Sequence, residues 1–261
     1  MERSGGGDPG ATLRLLWRGA AVGTDRPARG RPPKISLGQI VTAAITVADR
    51  DQLEATTMDK VAGELGVGTM SLYTHVPGKA ELIDLMVDAT WCELALPYGT
   101  DPRPDGWRAQ VELYAGRASA LHERHPWLRE ISTVRPPLGP GLLARQEYLL
   151  SALSGTGLDP AETTAAADAI VTFVDAAAGA RAEHAYAERV SGQSDPDWWA
   201  ARQAFWTEIF DAGRYPSIAR SWSEGGLSRS AAEASAMAFD LGLRSLLDGI
   251  EARVTPVSGF A

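Results

Sequence analysis

The 261-residue chain has a single cysteine, Cys92, so an intramolecular disulfide and a cysteine-cluster metal site are both excluded. Cys92 itself is expected as a small buried hydrophobe on a helix. No apolar run approaches the roughly 18 residues that a membrane span needs. Leu13 to Trp17 is too short and too charged for a secretory signal, so a cytoplasmic location is expected. β-Branched runs are few and alanine is frequent, which predicts an all-α protein. Catalytic signatures are missing as well. There is no Gly-rich phosphate loop, no GxSxG elbow and no histidine pair with an acid on one helix, so no enzyme and no cofactor are expected. His122 and His125 are three apart, but Pro126 ends the helix between them, and no metal is expected there. His184, between Glu183 and Glu188, reads as a solvated face.

A surplus of positive charge is also lacking, since the net charge is -8. Its distribution is uneven. Residues 26–79 carry seven basic side chains (Arg26, Arg29, Arg31, Lys34, Arg50, Lys60, Lys79) against five acidic ones (Asp49, Asp51, Glu54, Asp59, Glu64). Residues 91–261 carry 15 basic against 22 acidic. A slightly basic N-terminal unit therefore precedes an acidic remainder.

Residues 1–33 are rich in Gly, Pro and Arg and are expected to form a flexible extension, with at most a helical turn near Leu13 to Arg18. Arg26, Arg29, Arg31 and Lys34 end it, either as part of a solvated tail or as an arm against DNA. Residues 34–80 are expected to form a compact helical domain. Ser36 caps a helix over 37–50 with Ile40, Ala43, Ala44, Val47 and Ala48 on one face. Thr56 or Thr57 caps a second helix that stops at Gly66; a third runs over 68–75 and a fourth over 79–95. Residues 81–254 then read as a helical domain, with further helices at 105–124, 138–154, 160–190, 197–211, 216–223 and 229–249.

Residues 57–76 read TMDKVAGELGVGTMSLYTHV. Two short helices meet at Leu65-Gly66-Val67, and Gly66 permits the turn between them. Leu72 and Val76, four apart, share an inward face. The other faces carry Thr69, Met70, Ser71, Tyr73, Thr74 and His75, with almost no charge. A freely solvated helix usually carries Glu and Lys there; hydroxyls, a phenol and an imidazole suit phosphates and base edges. Double-stranded DNA is thus the expected partner. Thr69, Met70 and Ser71 would face base edges, while Tyr73, His75, Lys79 and Thr57 would hold phosphates. Competing readings are Tyr73 half-buried against the first helix, Thr57 as a cap alone, and His75 as an ordinary surface residue.

Gly66-Val67, Leu72-Tyr73-x-His75-Val76, Lys79 and Leu82 together resemble the DNA-binding region of the tetracycline-repressor family of transcriptional regulators. The resemblance implies a homodimeric repressor whose third helix enters the major groove of a palindromic operator. It also implies a tetracycline-repressor-like C-terminal domain that binds a small-molecule effector. An activator of the same family, or a degenerate regulator acting through protein contacts, is the alternative. Asp59 departs from the pattern. The tetracycline repressor has an arginine there that contacts DNA, and an aspartate repels phosphate, so the second helix should contribute less. Neither magnesium nor tetracycline carries over to residues of this chain.

The helices at 160–190 and 229–249 are the expected dimer pair. Ala165, Ala169, Thr172 and Ala176 on the first, with Ala231, Ala234 and Ala238 on the second, would permit close approach of two subunits, although the same faces could pack within one chain. Seven of the eight tryptophans lie from residue 91 onward. Trp91, Trp107, Trp127, Phe173 and Trp206 are the expected lining of an effector pocket.

Overall fold

A computed structural model describes residues 2–18 and 35–254. The basic side chains at Arg26, Arg29, Arg31 and Lys34 lie outside the described residues. The helices in chain order are α1 (Pro9–Leu16), α2 (Leu37–Ala55), α3 (Met58–Glu64), α4 (Thr69–Tyr73), α5 (Lys79–Cys92), α6 (Trp107–Arg124), α7 (Pro140–Leu153), α8 (Pro160–Ser191), α9 (Asp195–Ala200), α10 (Pro216–Ser223) and α11 (Ala231–Glu251). Two short strands, β1 (Glu2–Arg3) and β2 (Ile131–Ser132), pair in parallel. This is an all-α fold, as the composition predicts.

Local chemistry sets most helix starts. Ser36 and Gln39 form a capping box on α2, as do Asp159 with Glu162 on α8 and Ser230 with Glu233 on α11. Pro140 and Pro160 occupy first-turn positions, where the missing amide costs nothing. Gly66, at φ 66°, makes the left-handed turn between α3 and α4. The span expected as one helix over 197–211 is instead α9 followed by a single π-turn at Phe205–Ile209.

α2 continues past residue 50, and Gln52 interrupts it with φ 72° and ψ 166°. That backbone region is essentially glycine's own and costs a larger residue about 1–3 kcal/mol. One hydrophobic core runs from Ile40 on α2 through Leu82 and Met86 on α5 to Ile170 on α8 and Leu247 on α11. α8 packs against α6 and α11, α5 against α7, and α2 against both α3 and α5.

α5 is buried on nearly every side, and three of its carboxylates are buried with it: Glu81, Asp84 and Asp88. They share one face at i, i+3 and i+7. Their partners are distant in sequence. Ser4 Oγ donates to Asp84 at 2.6 Å and the Gly5 amide at 2.9 Å, while the Asp8 amide donates to Glu81 at 2.9 Å. The Leu142 amide, in the first turn of α7, donates to Asp88 at 3.1 Å. Burial raises the Asp88 pKa, against the lowering effect of the Leu142 and Gly141 amides. Gly141 is required here, because a Cβ would strike the Asp88 carbonyl.

Residues 2–18 are therefore a correction to the expected flexible extension. Their glycines let the backbone approach α5, β1 pairs with β2, Leu15 and Leu16 pack on the core, and the Trp17 indole donates to the Leu138 carbonyl at 2.8 Å. Cys92 is a second correction. It is exposed at the end of α5, and partial enclosure of its sulfur with the Asp88 and Glu93 charges pushes the thiol pKa up. Ser4→Ala should leave the buried Asp84 carboxylate short of a donor and cost about 1.5–3 kcal/mol. Urea unfolding measures this, and an unchanged midpoint would show that the N-terminal segment does not stabilise α5.

Candidate nucleic-acid interface and effector cavity

α3, the Gly66 turn and α4 form a helix-turn-helix hung from α2 and α5. Leu72 and Val76 are fully buried and fix which way α4 faces. Their neighbours on the other faces then point outward: Met70 is 76% exposed, Tyr73 45%, and Ser71 is exposed. Thr69, His75 and Lys79 are half-buried, and Thr57 is exposed. Thr57 does cap α3, its hydroxyl oxygen accepting the Lys60 amide at 3.2 Å, and its O–H can still donate outward. The seven side chains expected at DNA all lie on this motif or at the start of α5.

Charged neighbours on α2 and α3 also shape the surface. Thr69 Oγ1 donates to Asp59 Oδ1 at 2.5 Å, so Asp59 ties the first turn of α3 to that of α4. A carboxylate between two helix N-termini is favourably placed. It leaves Thr69 to present lone pairs and a methyl group rather than a proton. Lys60 sits 3.6 Å from Asp51, and Arg50 pairs with both Asp51 and Glu64. The cations of this flank are thus matched by acids.

The five aromatics expected around one pocket are not brought together. Trp127 is fully buried, and its indole donates to Asp49 at 2.7 Å. Trp107 is half-buried at the start of α6 beneath Arg108. Phe173 stacks on Phe239 of α11 at 5.8 Å. Trp206 belongs to a surface cluster with Trp199, Phe205, Phe210 and Trp222. Trp91 lines a cavity of about 270 Å³ with His122, Leu128, Arg129, Ile131 and Asp175. A groove of about 340 Å³ between α8 and the start of α11 is open and lined by surface residues such as His184 and Arg189.

The 270 Å³ cavity abuts the most polar part of the interior. Arg145 pairs with Asp175 at 3.0 Å, lies 4.4 Å over the Trp91 ring, and is buried. His122 Nε2 is 3.8 Å from Asp175. Burial would raise the Asp175 pKa, but the His122 hydrogen bond and the Arg145 charge outweigh it and hold the carboxyl low. Burial raises the Tyr114 phenol, with the Asp175 charge adding to it. Among the described residues Ser119 Oγ and His122 Nδ1 are buried without a hydrogen-bond partner, as are Tyr114 Oη and Arg145 Nε apart from their attraction for one another. Such atoms are costly unless something fills their valence, which a polar ligand does. His122 was noticed in the sequence only as a weak metal candidate. Arg145 and Asp175 had a visible signal, each being a lone charge within a largely apolar helix face.

A second polar set joins the helix-turn-helix to the body. His125 is buried between Asp49 of α2, 2.8 Å from Nδ1, and Glu93 after α5, 2.9 Å from Nε2. Arg124 reaches Glu93 at 3.3 Å. Burial would lower the His125 pKa, but hydrogen bonds to Asp49 and Glu93, with their charges, override it and raise the value above the usual imidazole range.

Residues 100–254 match the family described as tetracyclin repressor-like, C-terminal domain. The chain is 38% identical to the HTH-type transcriptional repressor DrrR1 of Streptomyces coeruleorubidus, over 99% of this chain and 91% of that protein. It is 29% identical to an HTH-type transcriptional regulator of Saccharopolyspora erythraea, over 73% of this chain and 79% of the other. Among solved structures it is similar to the Streptomyces coelicolor protein ActR in complex with actinorhodin, with a TM-score of 0.70 and 26% identity over 86% of this chain and 99% of that one.

The His125 clamp has a pH signature. With a folded-state pKa above the unfolded value, its stabilisation is complete below about pH 6.5 and is lost as pH rises through the folded-state pKa. Urea unfolding of the wild type and of His125→Gln across this range should show the variant losing less stability with rising pH. Equal slopes would show that His125 does not bridge the two carboxylates as a cation.

Proposed function

From the premise that this chain belongs to the tetracycline-repressor family of transcriptional regulators, we propose that it is a cytoplasmic homodimeric repressor that leaves a palindromic operator when a small molecule enters the cavity beside Trp91. The observation that carries this reading is α5. Its first residue, Lys79, follows the end of α4 by six residues, and Trp91 near its end walls the cavity. A single rigid helix therefore touches both places that the function requires.

Residues 34–80 serve as the DNA-binding unit and residues 81–254 as the effector-binding and dimerising unit. Met70 and Ser71 read base edges, Met70 by apolar contact with a thymine methyl, and Thr69 accepts rather than donates. Tyr73, Lys79, His75 and Thr57 hold phosphates. The effector stacks an aromatic plane near Trp91 and offers polar groups to His122 and Asp175 in the same wall. ActR, solved with actinorhodin, is a precedent for ligand binding in a protein of this fold. Of the five aromatics expected in the pocket, Trp91 alone keeps a direct role in this reading.

Dimerisation is supported by the exposure of Ala165, Ala169, Thr172 and Ala176 on α8 and of Ala234 and Ala238 on α11. Met237 and Leu241, 51% and 59% exposed, continue the α11 face as apolar surface in search of cover. Two heads on one dimer also explain how a chain of net charge -8 holds DNA, since a second half-site multiplies a weak contact.

Selection of bound fragments from random DNA should recover a palindrome. Tyr73→Ala and Lys79→Ala should weaken binding to all fragments and reduce its salt dependence, whereas Met70→Ala and Ser71→Ala should change which bases are preferred. No enrichment over random DNA would overturn the regulator reading. Sedimentation at micromolar concentration should show a dimer, and a 27.8 kDa species would overturn that part.

A further inference from the structure

Gln52 and Arg129 carry an inference that rests on this reading and concerns its regulation. Gln52 interrupts α2 near its C-terminal end with a backbone that L side chains rarely adopt, φ 72° and ψ 166°. Such a conformation persists only where its surroundings hold it. The holding contacts are visible. Arg129 Nη1 donates to Gln52 Oε1 at 3.2 Å, and the Gln52 carbonyl accepts the Thr56 hydroxyl at 3.0 Å. Thr56 is buried and directly precedes Thr57, the cap of α3. The strained residue thus sits five residues before the helix-turn-helix, which begins at Thr57, and positions its first turn.

Arg129 belongs to the other side. It lines the cavity that holds Trp91 and Asp175. Its guanidinium donates to the Pro126 carbonyl at 2.7 Å and to Glu183, and lies 4.2 Å over the Tyr186 ring. A single side chain therefore joins the cavity wall, α8 and the end of α2.

We propose that Arg129 and Gln52 form the latch through which the cavity governs the helix-turn-helix. A ligand with an acceptor oxygen, entering the cavity beside Arg129, draws the guanidinium from Gln52. The backbone at residue 52 then relaxes out of its strained conformation, and α3 and α4 lose the fixed placement that two half-sites demand. The His125 bridge between Asp49 and Glu93 remains as the pivot, so the head swings rather than detaches.

The test uses the full chain and an operator fragment recovered by selection, with mutation standing in for the ligand. Arg129→Met and Gln52→Ala should each weaken operator binding roughly tenfold, within the range found for coupling residues remote from a ligand. The double variant should be no weaker than Arg129→Met alone, because the contact that Gln52→Ala removes is already lost in it. Gln52→Gly should bind as weakly as Gln52→Ala yet melt at a higher temperature, since glycine relieves the strain without restoring the contact. Amide exchange at residues 50–57 should quicken in Arg129→Met. Wild-type affinity in Arg129→Met, additive losses in the double variant, or wild-type affinity in Gln52→Gly would each overturn the latch. A wild-type chain that selects no fragment would instead overturn the regulator reading, so the two failures are distinguishable.

Discussion

The structure depends on how α5 tolerates three buried carboxylates. A helix enclosed on nearly every side normally presents apolar side chains all round, yet Glu81, Asp84 and Asp88 line one of its faces. An unpaired carboxylate in such a place costs several kcal/mol. The protein meets this cost with backbone amides and one hydroxyl drawn from two segments: residues 4–8, and the first turn of α7. These donors have fixed geometry. The acid row therefore does what a purely apolar face would not, in setting the register of α5 against both the N-terminal segment and α7.

A fixed α5 makes the rest of the arrangement possible. Its first turn follows α4 closely, and its last turn supplies Trp91 to the cavity and leads into Glu93 of the His125 clamp. Where α2 meets the body, the shared apolar core is joined by polar contacts: His125 with Asp49, Trp127 with Asp49, and Arg129 with Gln52. Polar contacts are directional and have discrete alternatives, whereas an apolar interface slides. A body that must send a positional signal to its DNA-reading head gains from contacts of the first kind.

Most helix boundaries were legible because their causes are local. Ser36, Thr57, Asp159 and Ser230 cap the helices that follow them, and Gly66 makes the turn that defines the helix-turn-helix. The outward face of α4 was legible for the same reason, since burying Leu72 and Val76 leaves Met70, Ser71 and Tyr73 no other direction. The N-terminal segment was misread because glycine serves two ends that look alike in one dimension. It loosens a linker, and it also lets a backbone approach a buried acid 73 to 80 residues away. The cavity was misplaced because tryptophan suits both a ligand wall and a core. Trp127 and Trp91 differ only in what surrounds them: Asp49 takes the indole proton of the first, and Arg145 covers a face of the second.

What the sequence by itself determined was the helix-turn-helix and the surface it offers, along with the order and punctuation of the helices. Capping, helical period and the glycine turn act within a few residues, so their outcome is written where they stand. Only the tertiary structure decided that the N-terminal segment belongs to the body, that Arg145, Asp175 and His122 gather beside one cavity, and that Arg129 meets Gln52 where α2 leaves helical conformation. Each of these is a pairing of polar groups far apart in the chain. Their free energy depends on burial, and burial exists only once the helices have packed.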